Sequence, residues 1–322
     1  MASRSEPADG RHYVFLASSP YSGSTLLSFL LASHPRVATV SDVSGTRRTG
    51  QMDTFRCSCG ELMRTCPFWS LLRDHAAVRG IPDLDLADFR LGFDAARHTW
   101  LKAIQARSLR WAWLEHLRDR ALAPFGVAGD MREVAARNWA LANAVMDMTD
   151  TDVFVDASKE RLRIRYLDRY LPVPPRVIHL VRDVRGVVES TMRRAKRSDP
   201  PPAIAREWAR TNESIGQQLR ELPADRRLRI RYEDLCRDVG GTLRQAFAFM
   251  GVDPGVALQP IGHEQHMLGN QMRLTAAADV RLDERWREAL PDDLARTILR
   301  AADPIFGRLY PDASGAGSSS RV

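Results

Sequence analysis

Residues 18 to 27 read SSPYSGSTLL, set between the apolar run YVFLA and the helix-like LSFLLAS. Small and hydroxylic residues between a strand and a helix expose backbone N–H groups at the positive end of the helix dipole. Such a turn suits an anion, a phosphate or a sulfate. A second stretch, RVIHLVRDVRGVVES at 176 to 190, is a strand that ends in Arg182 and passes into a helix carrying Ser190. An arginine at the carboxyl end of a strand lies on the edge where open α/β sheets bind ligands, and its planar fork matches a phosphate. Each signal has a plainer alternative: Ser and Thr cap helices, and Arg182 can pair with Asp183. The first turn is not that of a nucleoside triphosphatase. Gly23 is followed by Ser24 and Thr25, without the lysine and earlier glycine of G-x-x-x-x-G-K-[ST].

These groups need a frame. Strand-like runs occur at 13 to 17, 153 to 155, 177 to 181 and 228 to 232, with helical patterns between them. That alternation predicts an α/β fold, a parallel sheet with helices on both faces. Residues 84 to 150 read as helix almost throughout and carry Trp100, Trp111 and Trp113. They predict a helical insertion that fills its own core, covers an acceptor pocket as a lid, or does both. One domain is expected over residues 12 to 311, with residues 1 to 11 and 312 to 322 disordered.

Composition narrows the classes. Charged residues are 27 % and apolar residues 44 % of 322, which fits a globular protein. Lys plus Arg number 47 against 40 Asp plus Glu, a net charge of +7 that suits polyanionic ligands and Arg-rich surfaces alike. No apolar run is long enough for a membrane span, and MASRSEPADGRHYV lacks a signal-peptide core, so a cytoplasmic protein is expected. Four cysteines do not make a disulfide framework. Three of them, Cys57, Cys59 and Cys66, fall in CSCGELMRTCPFW. The C-x-C spacing misses the usual zinc pattern, so no metal is expected and free thiols would shape an acceptor-side loop. A local disulfide, or a metal with His75 as fourth ligand, are the alternatives.

PYSGST followed by Arg182 and Ser190 in R-x(7)-S spacing resembles the sulfotransferases that use 3′-phosphoadenosine-5′-phosphosulfate (PAPS), the tyrosylprotein and glycan branch in particular. Three further stretches extend the resemblance in the same order: VFVDASK, RYEDLCRDVGGTLRQAFAFMGVD and HMLGNQMR. The resemblance implies a P-loop-like fold and transfer of a sulfuryl group from PAPS to an acceptor hydroxyl. It assigns Tyr21, Ser22, Gly23, Ser24, Thr25 and Leu26 to the 5′-phosphosulfate, and Arg182 with Ser190 to the 3′-phosphate. Lys159 would sit on the bridging oxygen, and Asn270 and Arg273 would close over the nucleotide. One departure stands out, because Tyr21 occupies the place of the family's Arg or Lys.

In the resembled branch the base is a Glu seven residues after H-P; here Asp42 holds that place. Its plainer reading is a turn or cap residue. His34, then His263 or His266, are the reserve candidates for the base, although His34 fits a helix cap better and His179 a satisfied core histidine. Family members act on sugars, phenols, lipids and peptides, so the acceptor stays open. Two rivals remain at this level. A P-loop-like small-molecule kinase would need the missing lysine and a magnesium carboxylate. A nucleic-acid binder would show steeply salt-dependent affinity, and no nucleic-acid partner is expected.

Overall fold

The computed structural model describes residues 10–43, 52–93, 104, 112–160, 162–194, 199–260, 265–269, 274 and 280–314. The chain runs β1 (His12–Ser18), α1 (Ser24–Leu31), β2 (Val37–Ser41), α2 (Pro67–Val78), α3 (Ala112–Leu122) and α4 (Val127–Thr149). It continues through β3 (Val153–Asp156), α5 (Arg163–Tyr170), β4 (Arg176–Val181), α6 (Val184–Arg194) and α7 (Pro201–Glu221). Then follow β5 (Arg227–Arg231), α8 (Tyr232–Arg237), α9 (Val239–Met250), α10 (Trp286–Ala289) and α11 (Asp292–Ala302). The five strands form one sheet in the order β2-β3-β1-β4-β5, and every pairing is parallel.

Alternation along β1 builds both cores. Tyr13, Phe15 and Ala17 point to one face and pack with Trp69 of α2, Met131 and Val145 of α4, and Leu167 of α5. Val14 and Leu16 point to the other, against Leu27 and Leu31 of α1 and Phe247 of α9. Strands buried on both faces read as continuous apolar runs, which is why YVFLA and VIHLV stand out in the sequence. From β1 the chain goes to one side of the sheet for β2 and β3, then crosses to the other for β4. The order thus reverses about β1, and ligands of such sheets bind at the carboxyl ends of the strands on either side of that point.

The α/β architecture is as expected; several local readings are corrected. The sequence reading has no strand at 37–41, yet VATVS forms the buried edge strand β2. Its five residues follow Pro35 too closely to show a clear period. Residues 84 to 93 are turns and extended chain, not helix. Asp85 and Asp88 accept hydrogen bonds from the N–H groups of Ala87 (2.8 Å) and Arg90 (3.0 Å), and Arg90 has φ +54°. Those local Asx turns compete with helix, while Leu84, Phe89, Leu91 and Phe93 still enter the core. Trp100 and Trp111 lie outside the described residues, as do His263, Asn270 and Arg273. At the termini, Arg11 is held by Asn143 and Asp147 at 2.6 Å each, and helix continues to Ser314.

A fully buried ion pair ties the 84–150 segment to the sheet edge. Arg163 donates to Asp156 at the end of β3, to Asn138 of α4 and to the Leu91 carbonyl (2.8 Å). Tyr13 donates to the same Asp156 at 2.7 Å. A buried charge is tolerable only when paired and hydrogen-bonded, so these partners fix one geometry at the tip of β3. The site is built from that tip.

Candidate functional site

After β1 the backbone turns sharply. Tyr21 has φ +60° and Gly23 φ +93°, both left-handed. Gly23 is required twice over: its φ suits glycine, and a Cβ there would sit 2.6 Å from the Tyr232 ring. Ser19 and Ser22 hydroxyls bond at 2.7 Å and brace the turn from inside. Gly23 is the N-cap of α1 and gives no side-chain cap. The first-turn N–H groups therefore face the carboxyl edge of the sheet, with Gly23, Ser24, Thr25 and Leu26 all lining a cavity of about 360 Å³. Tyr21 lines it too, whereas Ser22 is buried behind the turn.

Arg182 leaves β4 on the opposite wall of this cavity. One guanidinium nitrogen donates to the Tyr21 carbonyl (3.0 Å) and to the Ser190 hydroxyl (3.3 Å). The R-x(7)-S spacing is explained by this contact, because α6 starts at Val184 and brings Ser190 back over the strand end. Arg182 also stacks on the Tyr232 ring, 4.6 Å from its centroid, and faces Asp283 at 3.2 Å. Hydrogen bonds from Arg285, with the Arg182 charge beside it, hold the Asp283 carboxyl well below the usual carboxylate range despite its partial burial. The Arg182 carbonyl accepts from the Trp208 indole at 3.2 Å, so its backbone is fixed as well.

The third wall comes from β2 and β3. Lys159 lines the cavity, donates to the Ala157 carbonyl (3.2 Å) and lies 3.8 Å from Asp42. A bulge between Thr39 and Ser41 turns the end of β2, with Ser41 at φ +64° and its N–H bonded to the Thr39 hydroxyl (2.8 Å). A non-glycine residue at such a φ is costly and is kept where the surroundings impose it. Here it aims Asp42 at Lys159. The neighbouring loop is locked by Ser158, whose hydroxyl accepts from Val43 N–H at 3.1 Å and whose N–H donates to Asp156 at 2.9 Å. Asp42 reaches the cavity only through its contact with Lys159 and is not itself part of the lining.

The histidines sort differently. His34 is buried, accepts from Arg36 N–H at Nδ1 (3.0 Å) and contacts the Asp253 carbonyl through Nε2 (3.0 Å); it is not the cap of α1, which ends on Ala32, and it does not line the cavity. His179 is in the core, bonded to Asn212 at 2.9 Å, and burial lowers it to about 4. His266 points into the group of Cys57, Cys59 and Cys66, in the place that the alternative metal reading gave to His75.

Sequence reasoning missed Tyr232, Arg281, Asp283 and Arg285, all of which line the cavity. Tyr232 lay within the quoted RYEDL stretch. The DERW segment carries no spacing rule, and only its mixture of Asp and Arg between apolar neighbours hints at an ion-paired wall.

The cavity thus joins an uncapped helix start, an arginine-serine pair and Lys159, whose carboxylate partner Asp42 lies just outside the lining, along one sheet edge. The profile of the sulfotransferase family matches residues 14–254, which contain all of these groups except the 281–285 wall. No curated protein matches. Among solved structures, the sulfotransferase domain of the Synechococcus PCC 7002 olefin synthase is 22 % identical, covers 93 % of this chain and 96 % of its own, and has a TM-score of 0.48. The sulfotransferase domain of the curacin biosynthetic pathway is 17 % identical, with 91 % and 96 % covered and a TM-score of 0.49. Sulfotransferase STF9 from Mycobacterium avium is 14 % identical, with 95 % and 77 % covered and a TM-score of 0.45. With the family profile spanning well over half of its length, this chain belongs to the sulfotransferase family of enzymes.

Proposed function

We propose that the protein transfers the sulfuryl group of PAPS to an acceptor hydroxyl by in-line displacement. The observation that carries this reading is the meeting of Arg182 and Ser190 at 3.3 Å on the rim of the β1–α1 turn. A charged fork and a hydroxyl beside a turn of free N–H groups suit a ligand with two separate anionic ends. The 3′-phosphate would lie on Arg182 and Ser190, and the 5′-phosphosulfate on the N–H groups of residues 22–26 with the Ser24 and Thr25 hydroxyls. Asn270 and Arg273 would close over the nucleotide from the loop after Gly269, at which a Cβ would lie 3.5 Å from the Thr25 hydroxyl.

In this reaction the acceptor oxygen bonds to sulfur as the bond from sulfur to the bridging oxygen breaks. Charge moves onto the departing 3′,5′-bisphosphate, so positioning and electrostatics carry most of the catalysis. Lys159, on the third wall of the same cavity, stands in for the Arg or Lys that Tyr21 replaces. Asp42, 3.8 Å from Lys159, takes the acceptor proton. Membership in the sulfotransferase family weighs against the kinase alternative. No helix among the described residues is long and apolar enough to cross a membrane. Incubation with sulfur-labelled PAPS and a panel of sugars, phenols, sterols and tyrosine peptides tests the reading. Label should move to one class of hydroxyl, and label transfer from ATP instead of PAPS would overturn it.

A further inference from the structure

Outside the cavity, four metal-ligating side chains converge. Cys57, Cys59 and Cys66 bring their sulfurs, and His266 a ring nitrogen, all within 4.8 Å of one another. His266 Nδ1 is 3.4 Å from the sulfurs of both Cys57 and Cys66, and the sulfurs of Cys59 and Cys66 are 3.7 Å apart. Zinc bonds of about 2.3 Å to sulfur and about 2.0 Å to nitrogen in a tetrahedron require edges of about 3.8 Å between sulfurs and about 3.5 Å from sulfur to nitrogen. The three measured edges have those lengths, and the remaining pairs lie within 4.8 Å, close enough to draw in around an ion. A disulfide between Cys59 and Cys66 would use two of the four groups and leave Cys57 and His266 converging for no purpose.

The surroundings are built to hold the four in place. Cys57 N–H donates to the Glu61 carbonyl (2.8 Å) and Gly60 N–H to the Cys57 carbonyl (3.0 Å), which closes a tight turn with Gly60 at φ +93°. That turn lets a C-x-C pair face one centre. Cys66 is the N-cap of α2, followed by Pro67, which fixes its backbone and sets its sulfur at the start of the helix. The Trp69 indole N–H is buried without a conventional acceptor and lies beside Cys57, a donor suited to an ionised sulfur. His266 is held flat against Phe68, with centroids 4.5 Å apart and planes 9° apart. Ser58 accepts from Met267 N–H at 2.7 Å and donates to the Gln265 carbonyl, clamping the histidine segment to the cysteine turn.

We propose that Cys57, Cys59, Cys66 and His266 form a closed, structural Cys₃His zinc site. Three thiolates and one imidazole in tetrahedral array select zinc over harder cations, and a complete ligand set leaves no open position for catalysis. The zinc joins a cysteine turn to a segment about 200 residues later. That segment runs on through Leu268, whose N–H donates to the Val40 carbonyl (2.9 Å), to Gly269 against Thr25 and Ser41. The metal therefore pins the late loop over β2 and the β1–α1 turn, a consequence that rests on the nucleotide reading above.

The test begins with metal analysis of untagged protein purified without chelator, which should carry about one zinc per chain. Cys59→Ser and Cys66→Ser should lose it, His266→Ala should weaken it by more than roughly tenfold, and Cys236→Ser should keep it. Should the cysteine variants fail to fold, cobalt(II) exchanged into the wild-type protein gives the answer. Intense visible ligand-field bands with thiolate charge transfer support tetrahedral sulfur ligation, and weak octahedral bands overturn it. Zinc content unchanged in Cys59→Ser, or a Cys59–Cys66 disulfide in protein from reducing lysate, also overturns it. Loss of zinc should in addition weaken binding of the 3′,5′-bisphosphate product; if only that effect is missing, the pinning role fails and the zinc site stands.

Discussion

The two ends of the cavity are built by different means. On one side, which the proposal gives to the nucleotide, the turn after β1 and the Arg182–Ser190 pair each come from one short stretch of chain, and their geometry follows from a strand end and the first turns of a helix. On the side the proposal gives to the acceptor, Lys159 and its partner Asp42 come from segments more than a hundred residues apart. They meet because a bulge in β2 and a buried ion pair at the tip of β3 aim them. Under the proposed reading, the donor end would rest on local motifs and the acceptor end on distant packing.

If that division is right, substitutions at the two ends fail in different ways. The largest effect is expected at Asp42. Asp42→Asn keeps the shape but cannot take a proton, so kcat should fall by about 10²- to 10⁴-fold while affinity for the product nucleotide holds. Steady-state kinetics with calorimetry separates the two, and near-normal turnover would remove Asp42 as the base. Lys159→Ala should follow, with a loss of about 10²- to 10³-fold in kcat and little change in nucleotide affinity, because charge on the bridging oxygen grows only during transfer. Weak binding with normal turnover would move Lys159 to the donor end.

At the donor end the pattern inverts. Arg182→Ala removes a charge-assisted contact and should weaken nucleotide binding by about 1.5 to 3 kcal/mol, with a smaller effect on the chemical step once saturated. Asp283→Asn sharpens the same point. Removing a negative charge 3.2 Å from Arg182 should tighten anion binding by a few-fold, roughly 1 kcal/mol or less. Weaker binding in that variant would show that Asp283 positions Arg182 and does not compete with the ligand.

Neither end should govern the acid stability of the fold. His179 titrates at about 4 when folded because burial disfavours its charge, and near 6.5 when unfolded. Between those values the unfolded chain binds the extra proton, so stability falls as pH drops below 6.5 and the loss is complete near 4. From pH 7 to 5 the cost is on the order of 2 kcal/mol. Urea titrations of wild type and His179→Gln should show a flatter decline in the variant.

The residues of the β1–α1 turn and the Arg182–Ser190 pair, which line one cavity, were legible because their signals are short: PYSGST, and an arginine eight positions before a serine. The sheet was equally legible from its doubly buried strands. Three things were not. β2 is five residues long at the sheet edge, and its strand character comes from pairing with β3. Residues 84–93 carry helix-like apolar spacing, but Asp85 and Asp88 capture their own backbone and win locally. The fourth ligand of the cysteine group, His266, is brought there by the fold, so a spacing rule confined to CSCGELMRTC fails to see it. Asp42 and Lys159 were named only through a family resemblance; their contact is a product of tertiary structure.

The central claim is that this sheet edge holds a nucleotide by its 3′-phosphate, through Arg182 and Ser190. Isothermal calorimetry with 3′-phosphoadenosine-5′-phosphate and with AMP tests it directly, since the two differ only in that phosphate. The account predicts binding of the bisphosphate at least about tenfold tighter, 1.4 kcal/mol or more, and loss of most of that preference in Arg182→Ala. Equal affinity for the two nucleotides would contradict it.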